Sequence, residues 1–246
     1  METTKKETIG EMVAKDYRAA AVFESFGIDF CCKGNRTLED ACEQKNIDAV
    51  TVKEALDKVI IIPSDANMDF KFWPLDLLAD YIEKKHHRYV EDRIPLLLQY
   101  LNKLCKVHGE VHPELFEITK LFSETAGELT AHMKKEELIL FPDIRKMLKK
   151  AKDDSFLAGT AHFRSVKSPI NMMMQEHENE GDRFGKIAAL TEKYNPPADA
   201  CNTYRVTYAL LDEFESDLHK HIHLENNILF PKAIEHEEKA QQLELK

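Results

Sequence analysis

From Leu75 onward, apolar positions recur at three- and four-residue intervals through four long runs, about 75–107, 112–150, 165–194 and 199–239. That period belongs to an amphipathic helix with one buried face. No stretch alternates with period two long enough to suggest a strand. The breaks fall at His108-Gly109, at the connection from Lys150 to Pro169, and at Asn195-Pro196-Pro197, where paired prolines block a continuing helix. Four such helices predict an all-α, up-and-down four-helix bundle over residues 75–246.

Residues 1–62 read as a small helical domain of shorter pieces, with a break at DFCCKGN. Thr37 before Asp40 and Thr51 before Glu54 have the form of helix N-caps, and Gly27 and Gly34 stand where helices should stop. The segment PSDANMDFKFWP, 63–74, has no helical period and ends at a proline able to open a helix, so it is expected to be a linker.

The long runs contain a repeat. HMKKEELILFP at 132–142 and HIHLENNILFP at 221–231 share the pattern H-x-x-x-E-x-x-I-L-F-P, 89 residues apart. His87 precedes His132 by 45 residues and His177 precedes His221 by 44, so each half offers one His followed by one H-x-x-x-E. Residues i and i+4 share a helix face with β-carbons about 5–6 Å apart, so each motif aims an imidazole and a carboxylate at one point. His132 and Glu136 extend the stripe Leu121, Thr125 and Leu129, while His221 and Glu225 extend Leu210, Phe214 and Leu218. The donors are therefore expected to point inward, grouped as His87 with His132 and Glu136, and His177 with His221 and Glu225.

A buried carboxylate needs ion pairing, protonation or a metal to offset its desolvation. Four imidazoles with two carboxylates suit iron, manganese or zinc, and the absence of Cys from the repeats argues against a structural zinc or an iron–sulfur cluster there. Two carboxylates between two metals can bridge them and leave positions open for a small ligand. Pro142 and Pro231 are expected to kink or end their helices beyond the site.

Charge and composition narrow the rest. A net charge of −10 without any basic cluster excludes a nucleic-acid footprint. The amino-terminal residues lack the apolar core of a signal peptide, and no run approaches the roughly 20 apolar residues of a membrane span, so a cytoplasmic protein is expected. Five cysteines are too few and uneven for a disulfide framework. Cys42, Cys105 and Cys201 read as small core residues, and Met172 to Met174 as core packing. His108, His112, His219, His223 and His236 have no counterparts at matched offsets and are placed on the surface or around the site, while Glu176 is a candidate contact to a ligand.

The segments HHRYVEDRIP at 86–95, HMKKEELILFP, QEHENEGD at 175–182 and HIHLENNILFP resemble the hemerythrin-like proteins. With YRAAAVFESFGIDFCCKGNRTLEDAC before them, the chain resembles the iron–sulfur cluster repair di-iron proteins along nearly its whole length. The resemblance implies a hemerythrin-like bundle carrying an oxygen-bridged centre of two iron ions. Its ligands would be His87, chosen over His86 because it stands eight residues before Pro95, with His132, His177 and His221, and Glu136 and Glu225 as bridges. Oxygen-carrying hemerythrins use one more His than these six positions supply, which counts against simple dioxygen carriage.

The same resemblance makes the vicinal Cys31 and Cys32 candidate thiols for iron transfer. Lys33 and a nearby helix start would favour their thiolate forms. Repair of clusters damaged by oxidants or nitric oxide is the function implied, with damaged iron–sulfur proteins as partners and homodimerisation left open. The alternatives are reduction of nitric oxide or peroxide at the two irons, and a module that binds or senses gases such as nitric oxide or dioxygen, or iron.

Overall fold

The computed structural model of the chain describes residues 7–60, 69–150 and 165–244. Residues 63–68 of the expected linker and 151–164 of the long connection, His162 among them, lie outside this set. Among the described residues the secondary structure is helical, apart from one isolated bridge between Thr8 and Thr37.

The small amino-terminal part holds α1 (Ile9–Lys15), α2 (Arg18–Ser25), α3 (Leu38–Lys45) and α4 (Ala49–Ile60). Thr8 and Glu11 form a reciprocal capping box at the start of α1. Thr37 caps α3 by accepting the Asp40 N–H at 3.2 Å. The expectation for Thr51 is corrected: α4 begins two residues earlier, at Ala49, and Asp48 accepts from the Val50 N–H (3.1 Å) and the Thr51 hydroxyl (3.2 Å). Gly27, at φ +65°, follows the end of α2, as only a residue without Cβ does readily. Gly34 ends no helix. It lies in the loop carrying the cysteines, where a Cβ would stand 2.2 Å from the Phe30 carbonyl oxygen and 2.8 Å from Asn227 Oδ1 of the bundle.

The bundle's first rod is α5 (Leu75–Tyr81), a π-helical turn Ile82–His87 and α6 (Arg88–His108). The second is α7 (Glu114–Lys135), a π turn Glu136–Leu140 and α8 (Phe141–Lys150). The third is α9 (Lys167–Leu190), and the fourth is α10 (Asn202–Leu224), a π turn Glu225–Leu229 and α11 (Phe230–Glu244). Helix α6 packs on α7 and α10, and α7 packs on α9, which closes an up-and-down bundle. Of the linker's described part, Phe70–Phe72 forms a 3-10 turn whose buried Phe70 packs on Trp73 and Tyr81.

Pro142 and Pro231 do not end their helices: each is the second residue of a helix that resumes after a π turn. Proline lacks an N–H and crowds the carbonyl four residues earlier. Here the turn before each proline is widened: the Phe141 N–H reaches the Glu136 carbonyl and the Phe230 N–H reaches the Glu225 carbonyl, and the helix then resumes. Both π turns start at a carboxylate of the repeat, which fits the tendency of such turns to occur at functional sites.

Among the described residues, two apolar clusters form the core, with a layer of His and Glu between them. One contains Phe122, Phe184 and Phe214, whose ring centroids lie 5.4–6.4 Å apart, together with Phe23, Phe30 and Leu38 from the amino-terminal part. The other contains Leu78, Ile82, Phe141, Ile170, Leu229 and Phe230. Of the methionine run only Met173 is core; Met172 and Met174 are exposed, because three consecutive helical positions cannot share one face.

Candidate metal centre

His87, His132, Glu136, His177, His221 and Glu225 meet in the polar layer, each no more than 3% exposed. They form two groups with both carboxylates in common: His87 with His221, and His132 with His177. This corrects the grouping expected from the sequence halves. Helix α6 lies against α10 and α7 against α9, so each group takes one imidazole from either half of the chain.

The spacing fits two cations. His87 Nε2 and His221 Nε2 stand 3.2 Å apart, and His132 Nε2 and His177 Nε2 3.0 Å apart. Two imidazole nitrogens held at right angles on one ion, each about 2.1 Å from it, would be about 3.0 Å apart. Glu136 Oε2 lies 3.4 Å from His87 Nε2 and 3.3 Å from His132 Nε2, so it reaches both groups through one oxygen. Glu225 turns Oε1 to His221 and Oε2 to His177, each at 3.2 Å. None of the four carboxylate oxygens has a hydrogen-bond partner among the described residues. Anionic oxygens left in this state are costly, and a cation between them removes the cost.

The outer nitrogens of three imidazoles are committed. His87 Nδ1–H donates to Glu137 Oε1 (3.1 Å), His132 Nδ1–H to Glu176 Oε2 (2.8 Å), and His177 Nδ1–H to Asn226 Oδ1 (2.8 Å). A proton held at Nδ1 leaves the Nε2 lone pair facing the shared space, which is the tautomer a metal needs. Lys134 steadies Glu137 at 2.7 Å, Arg88 also pairs with it, and Lys135 pairs with Glu176.

The local electrostatics follow from this packing. Burial and the adjacent Glu225 push the Glu136 carboxyl up, but His132 and His87 outweigh them and hold it below its usual range. Burial likewise opposes ionisation of Glu225, and His221 and His177 draw it well below the ordinary value. Burial lowers His132, yet Glu136 and Glu176 raise it to about 10. The site thus holds two carboxylates among imidazoles able to carry protons where cations would sit.

Glu137 and Asn226 escaped the sequence reading, although a signal exists. Each immediately follows the Glu of its H-x-x-x-E motif, and each supports the upstream His of its own half. Glu176, which precedes His177, supports His132 of the other half. His86 precedes His87 in the same way and lies outside the cluster: it stacks over His221 at 5.7 Å and its Nδ1 donates to Asp217 at 3.0 Å.

Cys31 is buried and Cys32 half-buried, in a loop against the bundle rather than apart from it. The expectation of a favoured thiolate is corrected for Cys31: its hydrogen bond with Cys32, burial and the nearby Asp29 push its pKa well above the usual thiol value. Lys33 instead faces Glu178, at 3.8 Å. Cys201 is not a core residue; it is exposed at the start of α10, with His108 Nε2 3.3 Å from its sulfur. His223 is fully buried, with Phe30 5.7 Å away and Asn227 Nδ2 3.2 Å from its Nδ1.

A cavity of about 230 Å³ touches His132, His177 and His221 at its inner wall and Glu128, Lys135 and Glu176 toward solvent. Among the described residues, no helix is long and apolar enough to cross a membrane.

Fold and site together define a helical-bundle protein with a buried donor set suited to metal cations. The chain belongs to the family of the hemerythrin HHE cation binding domain, which matches residues 79–233, while residues 5–60 match ScdA_N, a domain of unknown function. It is 33% identical over 230 residues to the iron-sulfur cluster repair protein YtfE of Musicola paradisiaca, covering 94% of this chain and 97% of that protein. It is 30% identical over 231 residues to the iron-sulfur cluster repair protein ScdA of Staphylococcus haemolyticus, covering 93% and 98%. It is also 34% identical over 231 residues to the YtfE protein of Pectobacterium atrosepticum, covering 94% and 97%.

Proposed function

We propose that this chain repairs damaged iron–sulfur clusters, with two iron ions held by His87, His132, Glu136, His177, His221 and Glu225 as the source of iron. The observation that carries this reading is the pair of buried carboxylates, Glu136 and Glu225, whose four oxygens lack hydrogen bonds while standing between four imidazoles. The similarity to iron-sulfur cluster repair proteins, over nearly all of both chains, supports the repair activity. When bound, ferrous ions supply a releasable metal cargo at a site of nitrogen and oxygen donors. The chain's part is to hold the imidazole protons at Nδ1 through Glu137, Glu176 and Asn226, to supply two shared carboxylates, and to cover two of the imidazoles with Phe141, stacked on His87, and Phe230, stacked on His177.

Iron-loaded protein is expected to reactivate an iron–sulfur enzyme damaged by nitric oxide. Equal reactivation by metal-free protein would contradict the proposal. A second reading, in which nitric oxide, dioxygen or peroxide binds or reacts at the centre, is favoured by the cavity reaching His132 and His177. Turnover of nitric oxide without oxygen, in the presence of a reductant, separates the two.

A further inference from the structure

The loop that carries the cysteines places a second set of donors together. Asp29 Oδ1 accepts the N–H groups of Cys31 (3.1 Å) and Cys32 (2.9 Å), which folds the loop around the carboxylate. Cys31 Sγ lies 3.4 Å from the same oxygen and 3.8 Å from Cys32 Sγ. Ligand atoms of all three residues fall within 4.8 Å of one another. A disulfide would need the sulfurs about 2.05 Å apart. Two thiolates on a tetrahedral ion, each bonded at about 2.3 Å, stand about 3.8 Å apart, so the sulfurs are already spaced as ligands of one ion.

The bundle holds this spacing from outside the loop. Asn227 Nδ2 donates to the carbonyl oxygens of Cys31 (3.1 Å) and Phe30 (3.4 Å), and Asn226 Nδ2 to that of Cys31 (3.4 Å). Cys32 Sγ donates to the His177 carbonyl at 3.4 Å and packs over Gly181, where a Cβ would stand 3.3 Å from the sulfur. A loop that merely buried two small residues would have no need of four side-chain contacts fixing its carbonyls and one sulfur.

We propose that Asp29, Cys31 and Cys32 form a separate metal site, two thiolates and one carboxylate, that takes a thiophilic divalent ion of the ferrous or zinc class and leaves its fourth position open. The ligand set is softer than the His and Glu centre and suits such ions. On entry of the ion, two metal–sulfur bonds and one metal–oxygen bond form, two thiol protons leave to solvent, and no electron is transferred. The partial exposure of Cys32 gives the ion a route in and lets an external thiolate take the fourth position. Use of the site to hand iron to an acceptor rests on the repair function proposed above; the existence of the site does not.

The test is anaerobic titration of the full chain with cobalt(II), read by the thiolate-to-cobalt charge-transfer absorption that nitrogen and oxygen ligands do not produce. The wild-type chain is expected to develop this band and to lose it on adding zinc(II). Asp29→Asn and Cys32→Ser, both at positions that are not fully buried, are each expected to weaken the affinity for the band-forming ion about tenfold or more. The double variant C31S/C32S is expected to lose the band, and the triple variant C42S/C105S/C201S to keep it. Absence of the band in the wild-type chain, or its persistence in C31S/C32S, would overturn the proposal. Repair activity without the band would leave the repair reading standing and remove the site; the band without repair activity would do the reverse.

Discussion

Cys32 Sγ lies 3.4 Å from the carbonyl oxygen of His177, so the amino-terminal loop rests on the backbone of a residue of the candidate metal centre. Asn226 completes the junction, since it accepts the His177 Nδ1–H through Oδ1 and donates to the Cys31 carbonyl through Nδ2. Loop and centre therefore share one amide side chain. Replacing Asn226 by Leu is expected to lower metal affinity about 10- to 100-fold, as loss of an imidazole's outer partner does. Competition with a chelator measures this, and Glu176→Gln provides the matching test for His132. Unchanged affinity in both variants would show that these contacts do not orient the ligands.

The close approach at Gly34 makes a second prediction. A Cβ there would stand 2.2 Å from the Phe30 carbonyl oxygen, a backbone atom that cannot give way without moving the cysteine loop. Gly34→Ala is expected to destabilise the chain by about 1–3 kcal/mol, as overpacking does. Urea denaturation reads it. A stability equal to wild type would mean that the loop is not closely packed at Gly34.

Acid should weaken the metal-free protein through buried neutral histidines. Burial, with a smaller effect of Lys220, pushes the His223 pKa down to about 3 from 6.5. The unfolded chain therefore binds a proton that the folded chain refuses, and stability falls as pH drops from about 6.5 toward 3. His132 and His87 are raised instead; they are protonated in both states below 6.5, and their contribution is lost only as pH rises above it. Between pH 6.5 and 5 the loss from His223 alone is on the order of 2 kcal/mol. His223→Gln should flatten much of this slope, with His86, whose pKa burial also lowers, supplying the remainder. Melting temperatures of the two proteins at pH 7 and pH 5 decide it.

The aromatic cluster of Phe122, Phe184 and Phe214 within the bundle is expected to carry stability rather than chemistry. Phe184 is fully buried and stacks on Phe214 at 5.6 Å. Phe184→Ala should cost about 3–5 kcal/mol. If denaturant unfolding shows a loss below 1 kcal/mol, well under the usual range for such a change, the cluster is not closely packed.

How much of this was legible in the sequence depended on whether a feature is local. The period of the apolar positions marked the four rods to within a few residues, because a helix's buried stripe is written along its own length. The repeated H-x-x-x-E put His132 with Glu136, and His221 with Glu225, on inward faces for the same reason. Pairing of His87 with His221 was not legible, since it depends on α6 packing against α10, and spacing along the chain says nothing about which helices become neighbours. The π turns were missed because proline normally signals a break, and only the structure shows the turn widened ahead of Pro142 and Pro231. Cys201 was misplaced because its helical pattern starts one residue later, leaving it at the exposed entrance of α10.

The partners of the imidazoles were legible in part. Glu137 and Asn226 follow the two motif carboxylates at the same offset, and Glu176 and His86 precede the two upstream histidines. Three of these four positions bond an imidazole of the candidate centre, and the fourth, His86, stacks on His221, whose Nδ1 has no partner among the described residues. The internal duplication thus extends one step beyond the ligands, and it breaks at the imidazole of His221.

The proposed function requires two metal ions shared between Glu136 and Glu225. Metal analysis and an electronic spectrum of protein purified without oxygen test this most directly. The expected result is two iron ions per chain, lost or reduced to a residual fraction in His132→Ala and His221→Ala. Stoichiometric zinc, no bound metal, or an iron content unchanged by those substitutions would contradict it.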